Sequence, residues 1–123
     1  MSADRRKVRV VPLPGRRVRG SKSGRPEMAI IDLIGRRSLL RILWELRGDT
    51  LRFRTLQAAC GALSPTLLNL RLKEMREAML VELTGEGYSL TVLGKELLEV
   101  LLPLATWAKK WSDALAPVLP WAP

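Results

Sequence analysis

The sequence predicts a mainly α fold with one small β-hairpin, and three observations predict it. Apolar residues recur at three- and four-residue steps along most of residues 27–113, the spacing of one helical face. Start and stop residues cut this pattern into segments at Gly48-Asp49, Gly61, Ser64-Pro65 and Thr91. One stretch, VEL (81–83) and YSLT (88–91) around Thr84-Gly85-Glu86-Gly87, reads instead as two short strands joined by a tight turn. A chain of 123 residues is one domain's worth, enough to bury roughly 60 to 65 % of its unfolded surface around a single core.

The first helix is expected over EMAIIDLI (27–34), where only Glu27 and Asp32 are polar, so it needs cover on more than one side and hints at a partner. A second is expected from about Ser38 to Arg47, with Leu39, Ile42, Leu43 and Leu46 as its stripe and Trp44 also packing inside. After a short extended piece, Leu51 to Phe53, a brief helix from about Thr55 to Cys60 breaks at Gly61. Ser64-Pro65 opens the next helix, because Ser at the cap accepts an orphan amide and Pro at the first position has none to leave unpaired. At about 100° per residue, Leu68, Leu72, Met75 and Met79 share one narrow face, while Thr66, Asn69, Leu70, Lys73 and Glu77 point the other way.

A short helix, a Gly-containing turn and a longer helix with polar outward residues form a helix-turn-helix, whose second helix can enter the major groove. The hairpin stands where a wing would be, so the fold class is winged helix-turn-helix (α+β). Thr91 is expected to cap a last helix in which Leu93, Leu97, Val100 or Leu101, Leu104, Trp107 and Trp111 recur. Leu98, Leu102 and Ala105 widen its apolar arc beyond what one small core requires, and Pro103 is expected to bend or split it.

The formal charge of +9 is unevenly placed. Residues 1–26 hold Arg5, Arg6, Lys7, Arg9, Arg16, Arg17, Arg19, Lys22 and Arg25 against Asp4 alone, a net of +8 that leaves +1 for the rest. With Pro12, Pro14, Gly15, Gly20 and Gly24 and no sustained apolar period, this arm is expected to be disordered when unbound and to seek polyanions. The chain thus divides into a basic arm (1–26), a body (27–113) and a Pro-rich tail (114–123). With no histidine and one cysteine, a zinc site of usual composition, a Ser-His-Asp or Cys-His set and an intramolecular disulfide are excluded by counting. No enzyme, metal or cofactor is expected, and Cys60 reads as a small buried apolar residue. Prolines and Arg9 interrupt Val8, Val10, Val11 and Leu13, so no export signal is expected. Residues 97–108 contain Glu99 and Pro103 and are too short to span a membrane. The expected location is cytoplasmic.

IGRRSLLRILWEL (34–46), LRFRTLQAACGALSPTLLNLRLKEMREAMLVE (51–82) and YSLTVLGKELLEVLLPLATWAKKW (88–111) resemble the winged helix-turn-helix regulators of the HxlR type. The pairing of RF-x-x-L with SP-x-x-L-x-x-RLKE, and YSLT-x-LG, carries the resemblance. It implies a homodimeric bacterial DNA-binding transcription factor, nucleoid-associated and expected to be a repressor. It further implies a dimer built by the first and last helices, through Met28, Ile31, Leu98, Leu101, Leu102, Ala105 and Trp107. Ser64, Thr66, Asn69, Arg71 and Lys73 match the DNA-facing part of the motif, Leu70 is expected among the DNA-binding residues of the same helix, and Arg52 matches the backbone-contacting basic residue; Arg54 and, in the arm, Arg5, Arg6, Arg16, Arg17 and Arg19 are further expected backbone contacts. The helical wheel supports Thr66, Asn69 and Lys73 and sets Arg71 on a flank, suited to a phosphate or to a pair with Glu74 or Glu45.

The chain departs from the family pattern at Leu70, where a polar residue is usual, at Met79, where a helix-ending Gly is usual, at Glu86 in the wing turn, and at Arg25, where a Cys is frequent. Leu70 fits either a thymine methyl or a loss of base reading. The expected function is a sequence-specific regulator binding an inverted repeat as a homodimer, with a small-molecule effector left open. The alternative is a winged-helix protein-interaction or nucleoid-type module that binds DNA non-specifically through its arm.

Overall fold

The computed structural model describes residues 11–118. Its elements are α1 (Pro26–Ile34), α2 (Leu39–Glu45), α3 (Phe53–Ala59), α4 (Pro65–Glu77), β1 (Val81–Thr84), β2 (Gly87–Leu90) and α5 (Val92–Leu115), followed by a 3-10 turn (Ala116–Val118). Local chemistry starts α4 and α5 where expected. Ser64 Oγ accepts from the Leu67 N–H at 3.1 Å with Pro65 first in α4, and Thr91 Oγ1 accepts from the Gly94 N–H at 3.0 Å at the head of α5. Each satisfies a donor that the first helical turn would otherwise leave unpaired.

The apolar stripe of α2, Leu56 of α3 and the narrow face of α4 converge on one core, closed by Leu33 from α1 and by Leu80, Val81 and Leu90 around the hairpin. Leu39, Ile42, Leu43, Leu56, Leu68 and Met75 have no accessible surface. The hairpin pairs Val81 with Leu90 through to Thr84 with Gly87, leaving Gly85-Glu86 as a two-residue turn. On the other edge of β2, Leu51 exchanges both backbone bonds with Tyr88, at 2.9 and 2.7 Å. Gly87 takes φ +128° there, and a Cβ would meet the Leu51 carbonyl, so the crossing requires glycine. Gly94 has the same role where α5 crosses the chain, since a Cβ would run into the Leu80 carbonyl.

Several expectations are corrected. Residues 11–25, assigned to a disordered arm, hold defined turns instead: Val11 and Pro12 are buried, Val11 within the core. The Gly15 N–H donates to the Gly24 carbonyl at 2.8 Å, and Val18 and Ser21 form a bridge. The arm's composition hides this because its few apolar residues show no sustained period, and Val11 reaches the core only through tertiary packing. Residues 1–10 and 119–123 lie outside the described residues. Trp44 is 41 % exposed, its ring lying under the Arg47 guanidinium at 3.9 Å, because α2 turns it about 100° from the buried Leu43. Met79 is exposed, since α4 ends before it. Helix α3 begins at Phe53, which reduces the expected extended piece to the Leu51 bridge. Pro103 does not split α5, which continues unbroken to Leu115.

Candidate nucleic-acid interface

Helices α3 and α4 are joined by a turn that ordinary capping rules build. The Gly61 N–H donates to the Ala58 carbonyl and the Ala62 N–H to the Gln57 carbonyl, both at 3.0 Å, with Gly61 left-handed at φ +77°. This is the Schellman closure of a helix, which satisfies its last carbonyls and redirects the chain. Gln57 Nε2 braces the turn by donating to the Leu63 carbonyl at 2.8 Å, and Arg41 donates to the Ala59 carbonyl at 2.7 Å. Bonds within and beside the turn thereby set the axis of α4 relative to α3.

A buried ionic cluster then ties α4 to the link between α1 and α2. Glu74 accepts from Arg36 Nη1 at 2.6 Å and from Arg71 Nη1 at 3.0 Å. Arg71 Nε donates to the Arg37 carbonyl at 2.8 Å, and Arg36 approaches Asp32 at 3.9 Å. Every buried side-chain nitrogen and oxygen among the described residues has a partner, the condition under which buried charge is tolerated. Arg71, expected among the DNA-facing residues, is corrected on this ground: it is 9 % exposed and its guanidinium is spent inside the protein. Of the wheel's alternatives the structure selects the pair with Glu74; Glu45 pairs with Arg41.

The outer face of α4 presents Thr66, Asn69 and Lys73 exposed, with Ser64 exposed at its head. Leu70 is half-buried and lines a cleft beside Ile31 and Val18. Arg52 and Arg54 stand exposed at the start of α3. Arg17 and Arg19 are exposed on the ordered N-terminal turn, whereas the Arg16 guanidinium donates back to the Val11 carbonyl at 3.0 Å. Arg5 and Arg6 lie outside the described residues. The sequence reading missed Arg37, exposed beside the same cleft, although the Arg36-Arg37 step between two helices was a visible signal. The wing turn stays acidic: Glu86 is exposed, its N–H donating to Thr84 Oγ1 at 3.1 Å.

Of the expected dimer residues, Met28, Leu98 and Leu101 are half-buried, while Ile31, Leu102, Ala105 and Trp107 are exposed. Along α5 Leu104 and Trp111 are exposed as well, and the Trp107 and Trp111 rings stack at 5.6 Å. An apolar groove of about 460 Å³ runs between α2 and α5, with Leu40, Trp44 and Leu102 on its walls. Cys60 is buried against the core, and this desolvation pushes its thiol above the usual range; Glu45 adds to the shift and Arg41 opposes it. No helix among the described residues is long and apolar enough to cross a membrane.

The comparisons with known proteins agree with this geometry. The family model described as HxlR-like helix-turn-helix matches residues 33–116. An uncharacterised HTH-type transcriptional regulator of Methanocaldococcus jannaschii is 30 % identical over 95 residues, 73 % of this chain and 89 % of that protein. The uncharacterised HTH-type transcriptional regulator YvaP of Bacillus subtilis is 31 % identical over 90 residues, 68 % of this chain and 83 % of that protein. Among solved structures, quinone-bound YodB from B. subtilis superposes with a TM-score of 0.66 at 27 % identity, covering 68 % of this chain and 96 % of that one. A possible HxlR family transcription factor from Thermoplasma volcanium shares the fold, with a TM-score of 0.60 at 23 % identity over 68 % of this chain and 82 % of that one. The chain therefore belongs to the HxlR-like helix-turn-helix family of DNA-binding transcriptional regulators.

Proposed function

We propose that this regulator binds an inverted-repeat operator as a homodimer and represses by occupying it. The observation that carries the reading is the split character of α4: Leu68, Leu72 and Met75 are fully committed to the core, while Thr66, Asn69 and Lys73 stand clear on the opposite side. A helix held this rigidly, with short polar side chains and one Lys facing outward, is suited to the major groove, where Asn pairs with adenine and Lys with guanine. Arg52, Arg54 and the N-terminal cations then supply the salt-dependent, sequence-independent part of the affinity.

Exposed apolar side chains, Ile31 on α1 and those along the far half of α5, support dimerisation through these two helices. Helix α5 spans about 36 Å at 1.5 Å per residue, and beyond Leu101 its apolar residues Leu102, Leu104, Trp107 and Trp111 are exposed on a single protomer. A contiguous apolar face of this kind marks an interface, and a two-fold interface produces a two-fold operator with half-sites about one helical turn apart. The test is selection from random DNA duplexes with the full chain at about 0.15 M salt, where purely electrostatic binding is already weakened. Enrichment of a two-fold-symmetric site is expected; enrichment of nothing, by a chain shown to be dimeric, would refute base reading.

A further inference from the structure

Beside α4 lies a cleft of about 910 Å³, bounded by the N-terminal turn, the link between α1 and α2, and the flank of α4 at Leu67 and Leu70. Its rim is cationic: Arg17 and Arg19 project from the turn and Arg37 from the link, all exposed. The turn itself is built and anchored. Val18 and Ser21 exchange both backbone bonds, at 2.9 and 3.0 Å, around Arg19-Gly20, and Gly20 takes φ +80°. The Arg19 N–H donates to Asp32 Oδ2 at 3.2 Å, which fastens the turn to α1. The Gly15 to Gly24 bond closes its base, where a Cβ on Gly24 would press on the Gly15 backbone.

We propose that this turn is a preformed phosphate clamp: Arg17, Arg19 and Arg37 grip the sugar-phosphate backbone of the DNA strand that flanks α4 when the helix lies in the groove. Three features of the site fit that occupant. The cleft adjoins the flank of α4 next to Thr66, Asn69 and Lys73, where one backbone must pass if those residues meet base edges. Its lining joins guanidinium groups at the rim with Val18, Ile31, Leu67 and Leu70 inside, matching a polymer of anionic phosphates and apolar sugars. The only acid among its lining residues, Asp32, is turned to Arg19's backbone and to Arg36, away from opposing the bound anion. Leu70 thereby has a role that requires no base contact, as a wall of the cleft.

The clamp rests on the DNA-binding reading above, and the experiment separates the two. Binding of full-length wild type and variants to the selected duplex and to a random-sequence duplex is followed by fluorescence anisotropy across a salt series. Wild type that binds neither duplex overturns both readings. With wild type binding, Arg17→Ala combined with Arg19→Ala, and separately Arg37→Ala, should flatten the log–log salt slope by about 0.9 for each phosphate that a protomer ceases to neutralise; an unchanged slope overturns the clamp alone. Asp32→Asn and Gly20→Ala distinguish a preset clamp from a loose basic tail, because each keeps every arginine and loosens the turn. Gly20→Ala has open space for its Cβ and only the left-handed backbone to disturb, so it remains informative if Asp32→Asn also perturbs Arg36. Both should bind the selected duplex more weakly than wild type, Asp32→Asn in spite of its added positive charge; binding as tight as wild type by a folded Gly20→Ala would overturn preorganisation.

Discussion

Glu74→Gln is the substitution that tests most directly what holds the recognition helix in place. Glu74 is 1 % exposed and uses one carboxylate oxygen for Arg36 and the other for Arg71. Glutamine keeps the shape but turns one oxygen into an NH2 group facing a guanidinium, and it removes the carboxylate charge that joins the two cations. A hydrogen bond to a charged group contributes about 1.5–3 kcal/mol, and breaking a buried ion pair from one side costs about 3–5 kcal/mol. Arg36 retains Asp32 at 3.9 Å and both guanidinium groups keep a fraction of solvent contact, so the lower end applies, about 3 kcal/mol. At about 4 °C per kcal/mol for a domain of this size, the melting midpoint should fall by about 12 °C. The assay is thermal and urea unfolding followed by far-UV circular dichroism, at one protein concentration because association would shift the midpoint. A fall of less than about 2 °C would refute the view that this cluster fastens α4 to the link between α1 and α2.

The other predictions concern separate parts of the molecule. Met79 occupies the left-handed position that closes α4, at φ +62°, with its N–H on the Arg76 carbonyl and the Leu80 N–H on the Met75 carbonyl; because its side chain is 65 % exposed, Met79→Gly should raise the unfolding free energy measured in urea by about 1 kcal/mol, and a lowered value would count against the strain. Lys73→Ala should weaken binding to the selected duplex more than to a random one; an equal loss on both would remove Lys73 from base reading. Leu102→Glu, which buries a charge in the proposed two-fold interface, should shift sedimentation toward monomer without lowering helix content, and an unchanged dimer would move the interface elsewhere. Cys60 should react with iodoacetamide far more slowly at pH 8 in the folded chain than in urea, since burial both shields it and keeps it protonated; equal rates would mean the site opens freely.

Local rules make the helix-turn-helix legible in the sequence. Ser64-Pro65, Thr91 and Gly61 act on neighbours within a few residues, so the starts of α4 and α5 and the break after α3 follow from residue type and spacing alone. The cluster at Glu74 shows where legibility ends. Its pairing with Arg71 is a three-residue step along one helix and is visible on a helical wheel, but Arg36 lies 38 residues away, and no pattern in a single sequence shows which of many arginines arrives at a buried carboxylate. The same limit applies to residues 11–25, whose glycines and prolines resemble those of a disordered tail until Val11 finds a place in the core and Arg19 meets Asp32.

The sequence by itself determined the element order, the two faces of α4, the absence of the histidines that usual zinc sites and common catalytic triads require, and the separation of charge between the N-terminal segment and the body. These depend on periodicity, capping and counting, which are local or additive. Only the tertiary structure decided that Arg71 is internal, that Trp44 faces outward, and that residues 11–25 of the basic segment fold beside the recognition helix. Those outcomes depend on which distant groups compete for the same charge and the same buried volume, and that competition is resolved only when the chain is packed.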